Sequence, residues 1–268
     1  MVEFQRKDFY SYEDFLEIMR LLRAPGGCPW DREQTHSSIR RNFLEETYEV
    51  LDAIDHDDAS GMCEELGDVL MQVAFHAQIE AERGRFTMAN VVDGVARKLV
   101  YRHPHVFGDV QADTSQQVLA NWDVLKRREK GQRSTADAVE AVPHTLPALW
   151  RAEKIQSKTA KAGFDWTSSL QALDKLEEEV RELRAALEAG QAADAPHGIR
   201  EELGDTLFMA AKIAQMSGVD PEAALHRACD KFDRSFRAVE EAADKPLPEC
   251  GEAELLALWN DAKSHDPS

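Results

Sequence analysis

The chain reads as all-α, a pair of tandem duplicated helical-bundle domains, and three observations predict it. Apolar residues recur three and four apart along most of the chain, which is the period of one helix face. No stretch alternates apolar and polar with the period of two that a half-buried strand needs. The second half repeats the motifs of the first in the same order. An offset of 133 carries Glu49 to Glu182 and Lys98 to Lys231; one of 137 carries Asp68 to Asp205, Trp122 to Trp259 and Lys126 to Lys263, the difference fitting a longer loop after the second acidic run. The expected divisions are residues 1–130, a polar connection over 131–145, and residues 146–268, each domain a bundle of four or five helices.

Each element has a local reason. Ser11 and Asp14 have the spacing of an N-terminal cap, and Phe15, Ile18, Met19 and Leu22 follow on one face until Pro25-Gly26-Gly27 stops the helix. The loop Gly27-Cys28-Pro29-Trp30-Asp31 leads into a long helix with Phe43, Leu44, Val50, Leu51 and Ile54 as its apolar members. A turn over 56–61 precedes a second long helix through Val73, Phe75 and Ile79 to about Gly84. A third helix runs from about Thr87 to a stop at Pro104, and a fourth spans 115–130 with Val118, Trp122 and Leu125 inward. In the second half the pattern predicts helices over 146–161, 168–188 and 198–216. Another starts at Asp220-Pro221-Glu222, with aspartate as cap and proline in the first turn, and a last one spans 253–263.

The totals bound the function. The 268 residues, 43% of them hydrophobic, can build one large or two ordinary cores. Fifty acidic against 32 basic residues give a formal charge of −18, which disfavours stable binding to nucleic-acid backbone or to an anionic membrane. An anionic substrate therefore needs a bridging cation and a few well-placed basic side chains. Cys28, Cys63, Cys229 and Cys250 are scattered without CxxC spacing, so neither a zinc site nor a disulfide framework is indicated. Residues 1–10 lack an apolar signal core and no run reaches membrane-spanning length, so the expected location is the cytoplasm.

The chemistry concentrates in two acidic runs per half. In the second half Glu178-Glu179-Val180-Arg181-Glu182 is followed by Glu202-Leu203-Gly204-Asp205. Glu179 and Glu182 lie on one helix face, as do Glu202 and Asp205, and two such helices packed together bring four carboxylates to one point. Burying several unpaired carboxylates is costly, and a bound cation offsets it. Magnesium is the natural candidate, since it takes carboxylate and water oxygens and shares its shell with substrate phosphates. Gly204 costs about 0.8–1.0 kcal/mol against alanine inside a helix, which predicts close approach of a neighbouring helix or a ligand there. The first half carries the same set as Glu46, Glu49, Glu65 and Asp68, with Glu45 in the place of Glu178.

Each half then adds a lysine, an arginine and Trp-x-x-x-Lys: Lys98, Arg102, Trp122 and Lys126 in the first, and Lys231, Arg234, Trp259 and Lys263 in the second. Carboxylate-held magnesium polarises phosphoryl oxygens and activates water, while lysine and arginine neutralise a leaving group. Trp259 or Trp166 can stack on a base, and Lys158 is a further basic candidate for the substrate. A dinuclear oxidase also gathers glutamates on facing helices, but it calls for paired Glu-x-x-His motifs. Only Glu33 to His36 fits, outside both acidic clusters.

Five segments resemble the two-domain MazG nucleoside triphosphate pyrophosphohydrolases: Gly-Cys-Pro-Trp-Asp at 27–31, Leu-Glu-Glu-Thr-Tyr-Glu-Val-Leu-Asp-Ala at 44–53, Arg-His-Pro-His-Val-Phe at 102–107, Lys-Ile-Gln at 154–156 and Gly-Phe-Asp-Trp at 163–166. The resemblance implies magnesium-dependent hydrolysis of NTPs and dNTPs between the α and β phosphates, with manganese as a substitute. It also implies a homodimer and a role in nucleotide-pool cleaning or alarmone control. By motif the metal ligands are Glu179, Glu182, Glu202 and Asp205, and in the first copy Glu46, Glu49, Glu65 and Asp68. Glu178 and Glu45 take supporting places or orient the attacking water. Family members can carry Lys-x-x-Arg-Arg where each half here keeps one arginine. Arg234 lies one turn after Lys231 on its face, which places catalysis mainly in the second half, whereas Arg102, beside His103-Pro104, falls at a helix end. The alternative reading is a regulatory dimer that binds nucleotide without turnover.

Overall fold

The computed structural model describes residues 3–265 apart from 130 and 133, and among these there is no strand. The expected helix end at Lys130 lies outside the described residues. The chain divides into two compact units, Met1–Lys126 and Arg127–Ser268.

Unit 1 begins with α1 (Tyr12–Arg23), whose start is a capping box: Ser11 Oγ accepts from the Asp14 amide at 3.2 Å and Asp14 Oδ2 accepts from the Ser11 amide at 3.0 Å. Such a cap stabilises a helix by about 1 kcal/mol. The loop expected at 27–31 turns instead into the five-residue α2 (Pro29–Glu33), because a proline at the first position is already set for a helix. Next come α3 (Arg40–Asp55) and α4 (Ala59–Glu82), joined by a turn in which Asp57 takes a φ of 52° and Asp58 Oδ1 accepts from the Ser60 and Gly61 amides. The connection is too short for anything but a helical hairpin, so the acidic runs of α3 and α4 face each other. After α5 (Met88–Arg102), Pro104 ends the helix as expected but opens a further turn, α6 (Pro104–Phe107), before α7 (Ser115–Glu129). The core joins Met19 of α1, Ile39, and Ala74, Phe75 and Ile79 of α4, with Phe15, Leu16, Leu22 and Met71 against it. Large side chains buried this fully contribute about 1.5–3 kcal/mol each.

In unit 2 the stretch expected as a connection carries α8 (Thr135–Glu140). Ser134 and Asp137 cap it reciprocally at 2.9 and 3.0 Å, and Ala138 and Val142 are buried beneath it. The polar composition there reflects a cap rather than a free linker. Then follow α9 (Ala148–Ala160), α10 (Ser169–Glu188), α11 (Ile199–Met216), α12 (Pro221–Ala242) and α13 (Glu252–His265). The α10–α11 hairpin repeats α3–α4, α9 packs along α11 as α1 packs on α4, and α12 pairs with α13. Asp220 both caps α12 through the Ala223 amide at 2.9 Å and accepts from Trp150 Nε1 at 3.0 Å, which ties α12 to α9. The buried apolar residues of this unit's hairpin are small or flexible: Ala172, Ala186, Met209 and Ala211. Among the described residues no helix is long and apolar enough to cross a membrane.

Candidate active site

The α10–α11 hairpin brings one carboxylate oxygen each of Glu179, Glu202 and Asp205 within 4.8 Å of one another. Glu179 and Glu202 are buried, and Asp205 stands at the open side. Glu182 does not join this trio. It flanks it, hydrogen-bonded to Glu179 and close enough to Glu202 for repulsion. Of the four expected ligands three thus converge, and the fourth stands alongside them, bonded to Glu179. Loss of solvent, then the Glu179 and Glu202 carboxylates, raise the Glu182 carboxyl above its ordinary range; loss of solvent, then Glu179 and Glu201, do the same for Asp205.

The sequence reading missed one cation. Lys175 Nζ sits 2.7 Å from Glu178 Oε1 and 2.9 Å from Glu179 Oε1, so it is an ammonium on the edge of the cluster. Hydrogen bonds to Glu178 and Glu179 raise its pKa above the ordinary lysine range, and its own hydrogen bond holds Glu178 low. Glu178, given a supporting place or the orienting of the attacking water by motif, is an exposed partner of Lys175. The signal was present in the spacing, since a lysine three and four residues before glutamates meets them on a helix.

Unit 1 gathers a different trio, Glu46 and Glu49 from α3 with Glu65 from α4, again within 4.8 Å, while Asp68 flanks. Loss of solvent, then Asp68 and Glu49, raise Glu46; loss of solvent, then Glu49 and Asp68, raise Glu65. Both trios offer only carboxylate oxygens, the donor type of magnesium. Oxygens opposite each other on that ion lie about 4.2 Å apart, so side-chain adjustment suffices to close either cluster on one. Of the two explanations expected for Gly204, a neighbouring helix is not the one: a Cβ there meets no protein atom within 4 Å, and the same holds for Gly67. Among the described residues no helix approaches either glycine that closely.

The basic and aromatic candidates lie on other helices. Lys231 and Arg234 are exposed on α12; Trp259 on α13 packs its ring against Phe232 at 5.1 Å, with Lys263 Nζ 5.1 Å from the ring centre. Among the described residues no ion pair joins Lys231 or Lys263 to the carboxylates. In unit 1 Arg102 is buried at the end of α5 with its guanidinium 5.2 Å from the centre of Trp122, and Lys126 Nζ lies 4.7 Å from the same ring; Lys98 is exposed. His36, of the one Glu-x-x-His motif, bonds His76 Nδ1 at 2.7 Å and Glu80 Oε1 at 2.5 Å, apart from the carboxylate trio.

A cavity of about 420 Å³ opens beside the unit 2 cluster, within the range that small ligands occupy. Its walls include Gln156 and Thr159 of α9, Phe164, Asp165 and Trp166 of the following loop, and Phe208, Met209 and Lys212 of α11. Trp166 is where the sequence reading wanted a base-stacking ring; Lys158, half-buried on α9, is not part of the lining. Lys212 is buried and paired with Asp165, which hydrogen bonding from that lysine holds below the ordinary carboxylate range. Gln156 entered the sequence reading only as the end of the Lys-Ile-Gln segment, with no role, and Lys212 was not singled out, since it interrupts the apolar run Phe208 to Ala214 without a motif around it.

Fold and site together define an all-α tandem-repeat protein in which each repeat presents a carboxylate cluster on a helical hairpin. The family model for the MazG nucleotide pyrophosphohydrolase domain matches residues 34–107 and again 167–239, each match containing one hairpin. The chain is 46% identical over 226 residues to a nucleoside triphosphate pyrophosphohydrolase of Escherichia coli K12, covering 84% of this chain and 85% of that one. It is 41% identical over 258 residues to the nucleoside triphosphate pyrophosphohydrolase/pyrophosphatase MazG of Thermotoga maritima, covering 95% and 96%. The chain belongs to the MazG family.

Proposed function

We propose that this protein is a nucleoside triphosphate pyrophosphohydrolase that cleaves NTPs and dNTPs between the α and β phosphates, releasing a nucleoside monophosphate and pyrophosphate, with its main site in unit 2. The observation that carries the reading is the convergence of Glu179, Glu202 and Asp205 beside a nucleoside-sized cavity. Glu179, Glu202 and Asp205 would hold magnesium, or manganese in its place, with Glu182 beside them to complete the set. The ion supplies charge stabilisation on phosphoryl oxygens and an activated water. The names of the Escherichia coli and Thermotoga maritima relatives support the same activity.

The chain's own residues do the positioning. Phe208, Met209 and Lys212 lie three, four and seven residues beyond Asp205, which is about 4.5–10.5 Å along the α11 axis. That span matches the distance from an α-phosphate to its base, so a triphosphate on the carboxylates places its base in the cavity against Trp166. Lys175 is positioned to attract the phosphate charge once Glu179 turns to the ion. Lys231 and Arg234 of α12 and Lys263 of α13 are the basic groups that would neutralise the phosphates. Exposed Leu173, Val180, Leu203 and Leu207 on the hairpin favour a homodimer. Nucleotide-pool cleaning in the cytoplasm is the role that fits.

The test is product identity. ATP and magnesium with purified protein should give AMP and pyrophosphate, and ADP with orthophosphate would mean a different bond. ATP that binds with magnesium yet stays intact over hours would establish the regulatory dimer instead.

A further inference from the structure

The segment Gly163-Phe164-Asp165-Trp166 lies in the connection from α9 to α10 and forms part of the wall of the unit 2 cavity. Helix caps hold its two ends. The Phe164 amide donates to the Thr159 carbonyl at 3.1 Å, with Gly163 at a φ of 86°, and Thr167 Oγ1 donates to Gln171 Oε1 at 2.6 Å in the first turn of α10. Between the caps Phe164 is 82% exposed, so its ring does not fasten the loop. Asp165 does: its Oδ1 accepts both from Lys212 Nζ of α11 and from the Trp166 amide, the latter at 2.8 Å. Lys212 Nζ also donates to Gln215 Oε1 at 2.7 Å, so bonds run unbroken from the interior of α11 to the main chain of Trp166. Stability alone does not call for this ammonium, since an apolar side chain fills such a place at least as well, and unit 1 has Phe75 there. In unit 1 the loop before the hairpin is held from α1 instead, by Arg23 to the carbonyls of Asp31 and Gln34. A buried cation fastens this loop in both units, and in unit 2 it does so from within the cavity wall.

We propose that Asp165 and Lys212 are positioning residues, whose pairing holds the loop against α11 so that Trp166 stays in the cavity wall and stacks on a nucleobase. The inference deepens the pyrophosphohydrolase reading of the adjoining carboxylates and rests on it. The pair acts on the base through Trp166, while the triphosphate is held at the carboxylates. A base stacked on Trp166 is bound alike in the ground state and in the transition state, because the bond that breaks lies at the other end of the nucleotide. Loss of the pair therefore raises KM and leaves kcat as it was.

The experiment uses the full-length protein with magnesium and compares ATP with ribose 5-triphosphate, which has no base. Asp165→Asn combined with Lys212→Met cuts the tie to α11 without stranding a charge and keeps an oxygen for the Trp166 amide. In this pair variant KM for ATP should rise about tenfold, the scale of one base–aromatic stack, with kcat within about twofold. Ribose 5-triphosphate should change by less than about twofold in either constant. Trp166→Ala should raise KM for ATP as far, and adding it to the pair variant should raise KM no further, because the pair acts through that residue. An unchanged KM for ATP in the pair variant, an equal rise with ribose 5-triphosphate, or effects of the pair variant and Trp166→Ala that multiply overturns the proposal while leaving the pyrophosphohydrolase reading in place. Failure of the unsubstituted protein to cleave any triphosphate, ribose 5-triphosphate included, overturns that reading itself. Lys212→Met alone, which leaves only the part-solvated Asp165 unpaired, decides the matter by the same comparison if the pair variant does not fold.

Discussion

Seven residues past the aspartate of each acidic hairpin, unit 1 carries Phe75 and unit 2 carries Lys212. Phe75 is buried in an apolar cluster with Met19 of α1, Ile39 and Ile79. Lys212 is equally buried, but it pairs with Asp165 and faces a cavity shared with Gln156 of α9. The offset of 133 that joins the EExxE runs takes Ile39 to Ala172, so a large side chain in unit 1 gives way to a small one in unit 2. The place that is hollow in unit 2 is filled in unit 1, whose own hollow beside the carboxylates, about 300 Å³, lies instead against Glu49, Asp52, His56 and Glu65. The difference teaches that two copies with matching carboxylate motifs need not offer the same space to a ligand: one opens an apolar cavity along α11, the other a polar one at the turn of its hairpin.

The largest effect expected from breaking that asymmetry is on turnover. Glu202→Gln removes the charge of a buried member of the unit 2 trio without changing its size. It should lower pyrophosphate release from ATP by more than about a thousandfold, the equivalent of roughly 4 kcal/mol of lost transition-state stabilisation. Glu65→Gln, its counterpart in unit 1, should leave turnover within about twofold. Equal losses in the two variants would show that both hairpins work and that Phe75 in the place of Lys212 is no barrier.

Next in size is the stability cost of the hollowed core. The Lys212 side chain is 5% exposed and Asp165 is 30% exposed. Asp165→Asn leaves the ammonium unpaired and should destabilise unit 2 by about 3 kcal/mol, the low end for breaking a buried pair because one partner is part-solvated. Adding Lys212→Met should recover most of it. Urea unfolding of the two variants is the check, and a double variant no better than the single one would mean the pair is not what holds this region.

A smaller contrast lies at the clusters themselves. Lys175 has Asn42 as its counterpart in unit 1 by the offset of 133. Its ammonium competes with an incoming cation for Glu179, so Lys175→Met should tighten magnesium binding to nucleotide-free unit 2 about fivefold, or roughly 1 kcal/mol. Isothermal titration calorimetry reads this directly, and weaker binding would show the lysine to be a support of the metal site instead.

The smallest expected effect is a pH slope confined to unit 1. Burial, then His36 beside it, hold His76 below the ordinary imidazole value of 6.5. An unfolded chain therefore takes up a proton that the folded one refuses, so stability is present above that value and is lost as pH falls through it. His76→Phe should flatten the decline in melting temperature between about pH 7 and 5. A decline that persists unchanged assigns the slope elsewhere. Unit 2 has Ile213 at the matching place by the offset of 137 and should show no such term.

Much of this architecture was legible from local pattern. The Ser11–Asp14 box, the stop at Pro104 and the Asp220-Pro221 start all act through neighbours along the chain, and each appears in the structure where it was expected. The short α2 and α8 were not, because a five- or six-residue helix has too few turns for a period to show. The acidic residues were found as sets, but which three converge differs between copies: Glu46, Glu49 and Glu65 in one, Glu179, Glu202 and Asp205 in the other. Periodicity places residues on a face and says nothing of how two faces meet.

The sequence by itself determined that the protein is helical, that it is duplicated, and that carboxylates stand opposite one another in each half, since these follow from spacing within single helices and from the repeat. Only the tertiary structure decided that Lys175 borders one cluster, that Glu182 and Asp68 flank rather than join, and that Gln156, Asp165 and Lys212 meet around a cavity. Those residues lie on helices and a loop far apart in the chain. Their meeting depends on how large the side chains between the helices are, which no one helix specifies alone.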